Sequence, residues 1–269
     1  LRGGCTAVGE FHYFHHSTGR SDHAFDELII RAAREVGIRL VLLNTFYAHA
    51  HVNAASSAAA SASGDGASLD PDLSETQRRF ATPSVGAFFE RIDRLRARSA
   101  ESPHTQGVAG GGDATCKATG ASSLTGTTTG RAWGGAGYTV GIAAHSVRAA
   151  SMLECDELAT GALQRGIVMH MHLEEQPKEI ADCQAATGCT PLELIDGVAS
   201  KLGPLFTAVH CTHSTAEDLD RFVAHGANIC ICPLTEGCLA DGLPRLRECG
   251  THICLGSDCN ARICLAEEM

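Results

Sequence analysis

The sequence predicts an α/β fold, an incomplete (β/α)8 barrel of the TIM type in which parallel strands alternate with helices. Two observations support this fold class. Apolar runs of strand length recur along the 269-residue chain, and segments with apolar residues at helical spacing lie between most of them. In addition, histidine or acidic side chains follow several of these runs, as expected where the carboxyl ends of barrel strands meet at one rim.

Seven apolar runs have the length and composition of buried strands. Because an eight-stranded barrel needs one more strand, we expect the barrel to be one unit short at its N-terminal end. The predicted strands are Thr6–Phe11, Arg39–Leu43, Thr139–Ala143, Ile167–His172, Leu205–His210, Asn228–Cys232 and His252–Gly256.

The segments between the strands have the apolar spacing of amphipathic helices. In the first of them, Asp26–Val36, apolar residues recur every three or four positions and Gly37 stands where a helix ends. In the segment Ser214–Val223, Ser214 is the expected N-cap and Glu217 completes a capping box. The other predicted helices are Val85–Arg98, Leu153–Leu163, Lys178–Ala186, Pro191–Leu202 and a short one near Pro244–Glu248.

Two segments interrupt the alternation of strands and helices. Residues 54–71 are rich in Ala, Ser and Gly, and residues 99–137 are rich in Gly, Ser and Thr and poor in apolar residues. Neither segment buries enough apolar surface to offset the entropy of ordering it. We therefore predict one partial barrel domain over residues 1–269, interrupted by two disordered insertions.

The composition argues against several classes of binding partner. The net charge of −10 argues against binding to a nucleic-acid backbone or an anionic membrane surface. No run of about 18 apolar residues is present, so no membrane-spanning helix is predicted. The 13 cysteines form no CxxC motif, and we expect reduced thiols in a cytoplasmic protein.

The run Ile167–His172 ends in a histidine that should point into the mouth of the barrel. Glu175 follows three residues later, where a carboxylate can pass a proton between a metal-activated water and a leaving group. His170 lies two residues before His172 on the same face and is equally well explained by packing. Alone, this motif is more often a buried histidine beside a solvated glutamate.

Two further strand ends carry comparable residues. His210 ends the run Leu205–His210, with His213 as a competing candidate, and Asp258 follows Gly256-Ser257 after the last strand. A carboxylate at that place can bind a metal or accept a proton from water, although a turn aspartate is a common alternative. Four such residues, at the ends of three predicted strands, favour a metal-dependent hydrolytic site over a set of satisfied core residues.

Two more polar clusters follow predicted strands. Three histidines lie in Glu10–His16, where they could bind a metal or line a substrate pocket. His145 and Arg148 follow the third strand, and an arginine at a barrel mouth suits an anionic substrate because it binds a carboxylate through two hydrogen bonds. For a single arginine, a surface position is the more common explanation.

At these residues the chain resembles the amidohydrolase superfamily, and within it the formimidoylglutamate deiminases. The motifs EFHYxHH and HSxR are fairly specific to these deiminases. The His-x-His motif, the histidine that ends the sixth strand of the family's barrel (His210 in this chain) and the Ser-Asp motif are shared across the superfamily. The resembling segments are Glu10–His16, Gln77–Phe80, His145–Arg148, His170–Glu179, Val209–His213, Thr235-Glu236 with Asp241-Gly242, and Gly256–Asn260.

The resemblance implies a barrel enzyme with one divalent metal, usually zinc, that hydrolyses N-formimino-L-glutamate to N-formyl-L-glutamate and ammonia in histidine degradation. It implies that His172 and Asp258 bind the metal, and that Glu175, His210 and Asp258 handle protons and polarise the imine. The substrate-binding residues it implies are Tyr13, His145 and Arg148.

The chain also departs from this family pattern. The first-strand His-x-His of the family is expected before Leu1, so we expect a fragment that alone holds little zinc and releases no ammonia. Cys238 and Ala240 stand where other residues are expected after Glu236. The alternatives are a deaminase of a heterocycle such as guanine or a triazine, and a truncated, inactive paralogue. The expected partner is a small molecule with a carboxylate, and the expected assembly a homodimer.

Overall fold

The computed structural model describes residues 4–52, 69–101, 137–259 and 264–269. Most of the two predicted insertions, residues 54–68 and 102–136, lies outside the described residues. The prediction that these segments are disordered insertions therefore stays a prediction. The described ends of the second segment join regular elements: residues 99–101 continue a helix, and residue 137 directly precedes a strand.

Seven strands form one parallel sheet in which neighbours in the sheet are also neighbours along the chain. Each of the predicted strands is present within a few residues of its predicted bounds, which confirms the α/β fold and the incomplete barrel. The strands are β1 Ala7–His12, β2 Arg39–Phe46, β3 Tyr138–Ala144, β4 Met169–Leu173, β5 Phe206–His210, β6 Asn228–Ile231 and β7 Ile253–Leu255.

Helices follow the strands and cover the outer face of the sheet. The predicted helix Pro191–Leu202 is divided at Ile195 into two short helices, and the other predicted helices differ mainly at their ends. The helices are α1 Ala24–Val36, α2 Glu75–Arg78, α3 Val85–Glu101, α4 Met152–Arg165, α5 Pro177–Thr187, α6 Pro191–Leu194, α7 Asp196–Leu202, α8 Ala216–Ala224, α9 Pro233–Leu239, α10 Leu246–Cys249 and α11 Leu265–Glu268, with a 3-10 turn at Gly203–Leu205.

The predicted capping box of Ser214 and Glu217 is wrong by one residue. The N-cap of α8 is Thr215, whose side chain accepts a hydrogen bond from the backbone N–H of Asp218. Both neighbouring residues are N-cap types, so local sequence does not choose between them. Ser214 is buried and uses its hydroxyl for a long-range contact with Glu174 instead.

The core lies between the sheet and the helices. Phe46, Phe88, Phe206 and Phe222 are among its largest fully buried side chains. Burial of such side chains stabilises the fold by about 2 kcal/mol each. Among the described residues, no helix combines the length and apolar character needed to cross a membrane.

The inner face of the sheet surrounds a cavity of about 490 Å³. Strands at both ends of the sheet contribute to its walls, with Glu10 to Phe14 on the β1 side and Leu255 to Cys259 on the β7 side. Because β1 and β7 are first and last in the strand order, the sheet is curled around this space. The curling brings the residues that follow different strands toward one rim.

Candidate functional site

Three strand ends bring the predicted site residues to the same rim. His172 is the penultimate residue of β4, His210 is the last residue of β5, and Asp258 lies three residues after β7. His210 has φ 77° and Asp258 has φ 44°, conformations that are uncommon for residues other than glycine. Such strained positions are concentrated at functional sites, where the surrounding structure holds them.

Glu175, His210 and Asp258 form a compact group of possible metal-binding atoms. One ligand atom from each lies within 4.8 Å of the others. The Nε2 atom of His210 is 3.8 Å from Oε1 of Glu175, and the His210 ring stacks on that of His172 with 5.3 Å between centroids. The structure thus brings together all four residues that the strand-end pattern predicts.

Glu236 is a buried member of this site that the strand-end pattern did not identify. Its Oε1 atom lies 3.4 Å from Nδ1 of His210 and accepts a hydrogen bond of 2.9 Å from the backbone N–H of Cys232. Since this carboxylate oxygen is an acceptor, the Nδ1 of His210 carries a proton and donates the hydrogen bond to Glu236. The ring is then oriented with Nε2 facing Glu175.

Burial and neighbouring charges shift the pKa values of the side chains in this site. Burial alone would lower the pKa of His210, but Glu236, Glu175 and Asp258 outweigh it and raise the pKa. Burial, together with the negative charges of Asp241 and Asp258, raises the pKa of Glu175. Burial and the neighbouring His145 and His210 lower the pKa of His172 well below its usual range, so its imidazole is neutral and suited to metal binding.

The donor set fits a divalent cation. Carboxylates outnumber nearby cations, and one oxygen each of Glu236 and Asp241 is buried without a hydrogen-bond partner among the described residues. A cation would relieve the mutual repulsion of these carboxylates. Imidazole together with carboxylate is a ligand combination typical of zinc and similar transition metals.

Aromatic rings surround His145 on the side of the site next to His172. The His145 ring meets those of Tyr13, Tyr47 and His172 edge to face, at centroid distances of 5.2, 5.0 and 5.1 Å. The Phe11 ring stacks on His172 at 4.1 Å. Tyr13 and His145 are therefore placed side by side near His172, although they lie in different βα units. Neither Tyr47 nor Phe11 was among the individual residues predicted to form the site.

Arg148 lies further from the centre than the other predicted site residues. Its side chain is exposed and lines a separate cavity of about 440 Å³ together with Lys178 and Asp182. Its charge nevertheless reaches the site, because burial and then Arg148 lower the pKa of His145 to about 3. Arg148 therefore stands apart from the walls of the central cavity, although its charge acts on His145.

The remaining candidate histidines have other environments. His170 lines the central cavity, and burial lowers its pKa to about 4. His213 is exposed and its backbone N–H donates to the carbonyl of Glu174, so it does not compete with His210. His12 lines the central cavity on the β1 side, but its Nε2, like Nδ1 of His15, faces the carboxylate of Asp26.

Comparison with known proteins places this chain in a family. The chain is 31% identical over 278 aligned residues to a formimidoylglutamate deiminase of Pseudomonas aeruginosa, an alignment that covers 100% of this chain and 49% of the relative. A crystal structure of an amidohydrolase from Brucella melitensis has 26% identity and a TM-score of 0.72, covering 99% of this chain and 49% of that one.

A more distant structure shares the fold. An adenosine deaminase from Xanthomonas campestris with bound zinc has 16% identity and a TM-score of 0.61, covering 95% of this chain and 42% of that one. The chain spans about half the length of the relatives that it matches. The sequence model of the amidohydrolase family matches residues 1–269, and the chain therefore belongs to that family.

Proposed function

We propose that this chain is part of a metal-dependent deiminase that hydrolyses N-formimino-L-glutamate to N-formyl-L-glutamate and ammonia, a step of histidine degradation. The observation that carries the proposal is the meeting of Tyr13 and His145 beside His172. These residues come from the two segments that distinguish the deiminases within the superfamily. Their contact next to the strand-end histidine is what a substrate-holding role requires.

The proposed metal ligands within the chain are His172 and Asp258, and we propose zinc as the metal. A bound divalent ion would lower the pKa of water and so supply the nucleophile near neutral pH. Both residues line the central cavity, where a small substrate has access to them. A neutral imidazole and a carboxylate are suitable ligands for this purpose.

The proposed reaction adds water to the formimino carbon and breaks its bond to the terminal nitrogen, which leaves as ammonia. Asp258 accepts one proton of the attacking water and later gives it to the departing nitrogen, while the hydroxyl proton returns to Glu175 as the carbonyl forms. Glu175, whose pKa is raised, keeps a proton at higher pH than an exposed glutamate and delivers it to the departing nitrogen. His210 donates a hydrogen bond to the polarised reaction centre, with Glu236 holding the ring in place.

The proposed substrate contacts lie on the other side of His172. Tyr13 and His145 hold the formimino end, and Arg148 attracts a carboxylate at the mouth of the barrel. A guanidinium binds a carboxylate through two charge-assisted hydrogen bonds, which fixes orientation as well as charge. The expected ligand is therefore a small acidic molecule.

Binding of the product gives a test of the substrate class that does not depend on turnover. We expect the 269-residue chain to bind N-formyl-L-glutamate in the presence of Zn²⁺, measured by titration calorimetry, and to bind adenosine at least about tenfold more weakly. Failure to bind N-formyl-L-glutamate would contradict the proposal. Because the chain contributes two of the proposed ligands and catalytic zinc sites usually have three, we expect substoichiometric zinc after purification and negligible ammonia release.

A second candidate is a deaminase of a heterocyclic base. The aromatic side chains of Phe11 and Tyr13 line the central cavity, where they would stack on a planar ring. In that case adenosine or guanine would bind more tightly than N-formyl-L-glutamate, and removal of the Arg148 charge would not affect binding. The same titrations therefore decide between the two candidates.

A further inference from the structure

The histidines that follow β1 surround Asp26, a carboxylate in α1 with no exposed surface. Its Oδ1 atom lies 3.0 Å from Nε2 of His12 and 2.9 Å from Nδ1 of His15. Its Oδ2 atom accepts hydrogen bonds from Asn44 at 3.1 Å and from Nε of Arg91 at 3.2 Å. A single carboxylate thus joins β1, the loop that follows it, β2 and α3.

The surroundings of His15 determine its protonation. Its Nδ1 faces the Asp26 carboxylate, and its Nε2 lies 2.8 Å from the backbone carbonyl of Thr45. A carbonyl and a carboxylate are both acceptors, so both ring nitrogens must carry a proton. His15 is fully buried, and in this geometry it is an imidazolium ion paired with Asp26.

Several charged or titratable groups surround the pair, and Glu27 binds Arg98 as well as Arg91. Besides His15, the groups facing Asp26 are His12, the Nδ1 of His23 at 3.5 Å, Asn44 and Arg91. Arg91 also contacts Glu27 at 3.2 Å. Burial would raise the pKa of Asp26, but hydrogen bonds from His12 and His15 lower it, so the carboxylate stays ionised.

The loop held by this pair carries Tyr13. The backbone N–H groups of His15 and His16 both bind the carbonyl of Arg79 at 3.1 Å, and the Arg79 guanidinium lies 4.0 Å from the centre of the Phe14 ring. His12 and His15 therefore fix the loop on both sides of Tyr13. The Tyr13 ring is left facing His145.

We propose that the buried ion pair of His15 and Asp26 is a positioning group that holds Tyr13 against His145, where the substrate is bound. The placement of Tyr13 rests on the geometry alone, whereas its effect on the substrate rests on the proposed function. Neither residue of the pair touches the substrate. The role of the pair is to prevent the loop from shifting when Tyr13 forms a hydrogen bond.

The charge on His15 can be measured in the unaltered chain. In protein labelled with ¹⁵N-histidine, we expect the His15 ring to show protons on both nitrogens at about pH 7, because both nitrogens face acceptors. A His15 ring with a single proton at neutral pH would overturn the proposal, whether its other nitrogen is bare or bound to a metal. This measurement requires neither a variant nor activity.

The positioning role is tested with Asp26→Asn, which removes the charge at nearly constant size. We expect His15 to lose one proton and the proton–proton Overhauser contact between Tyr13 and His145 to disappear, while that between Tyr47 and His145 remains. Asp22→Asn, a change of an aspartate in the same loop outside the cluster, should preserve both contacts. If Asp26→Asn does not fold, His15→Gln supplies the same test. Retention of the Tyr13 contact in a folded, uncharged variant would overturn the proposal.

Kinetics separate positioning from a general loss of structure. In an active preparation, we expect Asp26→Asn to raise the KM for N-formimino-L-glutamate roughly tenfold and to change kcat less than about twofold, the size of one lost hydrogen bond. Combined with Tyr13→Phe it should raise KM little further, since both act through one contact. Additive effects would overturn the proposal. If a full-length, zinc-loaded preparation releases no ammonia, that result counts against the proposed function alone, because the spectroscopic tests decide the ion pair separately.

Discussion

The carboxylate of Glu174 accepts a hydrogen bond of 2.6 Å from the hydroxyl of Ser214, and this contact joins the loop after β4 to the loop after β5. The other carboxylate oxygen of Glu174 accepts a hydrogen bond of 3.0 Å from the backbone N–H of Leu192. The backbone carbonyl of Glu174 accepts one of 3.1 Å from the backbone N–H of His213. Glu174 is buried in a left-handed conformation with φ 54°. It therefore fixes the neighbouring Glu175 relative to His210.

Replacement of Glu174 by Ala should destabilise the protein by about 2–3 kcal/mol. The change leaves the hydroxyl of Ser214 and the N–H of Leu192 without their charged acceptor, and such bonds contribute more than neutral ones. Urea unfolding at pH 7 measures the loss. Glu217→Ala, at an exposed position in α8, is the matched control and should change stability by less than about 0.5 kcal/mol. Equal stabilities of the two variants would show that Glu174 does not hold the loops.

In an active, full-length version of the protein, Arg148→Ala should raise the KM for N-formimino-L-glutamate roughly 10- to 100-fold, the range expected for loss of a charge-assisted bond to a carboxylate. The KM for a neutral formamidine should change less than about twofold, because it offers no carboxylate. Steady-state ammonia release from the two substrates measures the difference. Lys178→Ala is the control, since Lys178 lines the same cavity but is paired with Asp182. Equal effects of Arg148→Ala on both substrates would refute the carboxylate contact.

The strands and the strand-end residues could be predicted because they depend on local patterns. An apolar run fixes a buried parallel strand, and the first polar residue after it falls on the rim. The contacts that orient these residues could not be predicted in the same way. Glu236 reaches His210 across 26 residues, and Ser214 reaches Glu174 across 40. No local spacing encodes such pairs, and the misplaced N-cap at Ser214 followed from the same limitation.

The prediction about His12 and His15 shows the limit in another form. As a sequence, Glu10–His16 permits a metal site or a pocket wall. The structure shows that both histidines face Asp26, which the sequence shows only as one residue of a helix. Its burial, and the approach of Arg91 from α3, depend on how helices pack on the sheet.

Gly161→Ala should destabilise the protein although alanine is the better helix former by about 1 kcal/mol. Gly161 lies inside α4, and a Cβ there would be 2.2 Å from Cζ of Phe89. The Phe89 ring is buried, so relief of the clash requires movement of α3, at a cost of about 1–3 kcal/mol. Thermal unfolding measures the effect. Gly197→Ala in α7, where a Cβ meets nothing within 4 Å, should instead stabilise by up to about 1 kcal/mol. Stabilisation by both substitutions would contradict the close packing of α4 on Phe89.

Glu179 should make the protein less stable as the pH rises from about 4.5 to about 7. Burial raises the pKa of Glu179 from 4.5 to about 7, and one of its oxygens is buried without a hydrogen-bond partner among the described residues. In this interval the unfolded chain has already lost the proton that the folded chain still holds. Stability therefore falls with pH, by roughly 3 kcal/mol in total, and then stays level above pH 7.

Glu179→Gln removes this titration while it keeps the shape of the side chain. We expect the variant to gain up to about 3 kcal/mol over the parent at pH 8 and nearly nothing at pH 4.5, as measured by urea unfolding at both pH values. Glu157→Gln makes the same chemical change on the exposed surface of α4 and serves as the control. A Glu179→Gln variant that differs from the parent by the same amount at both pH values would show that the buried carboxyl does not hold a proton near neutral pH.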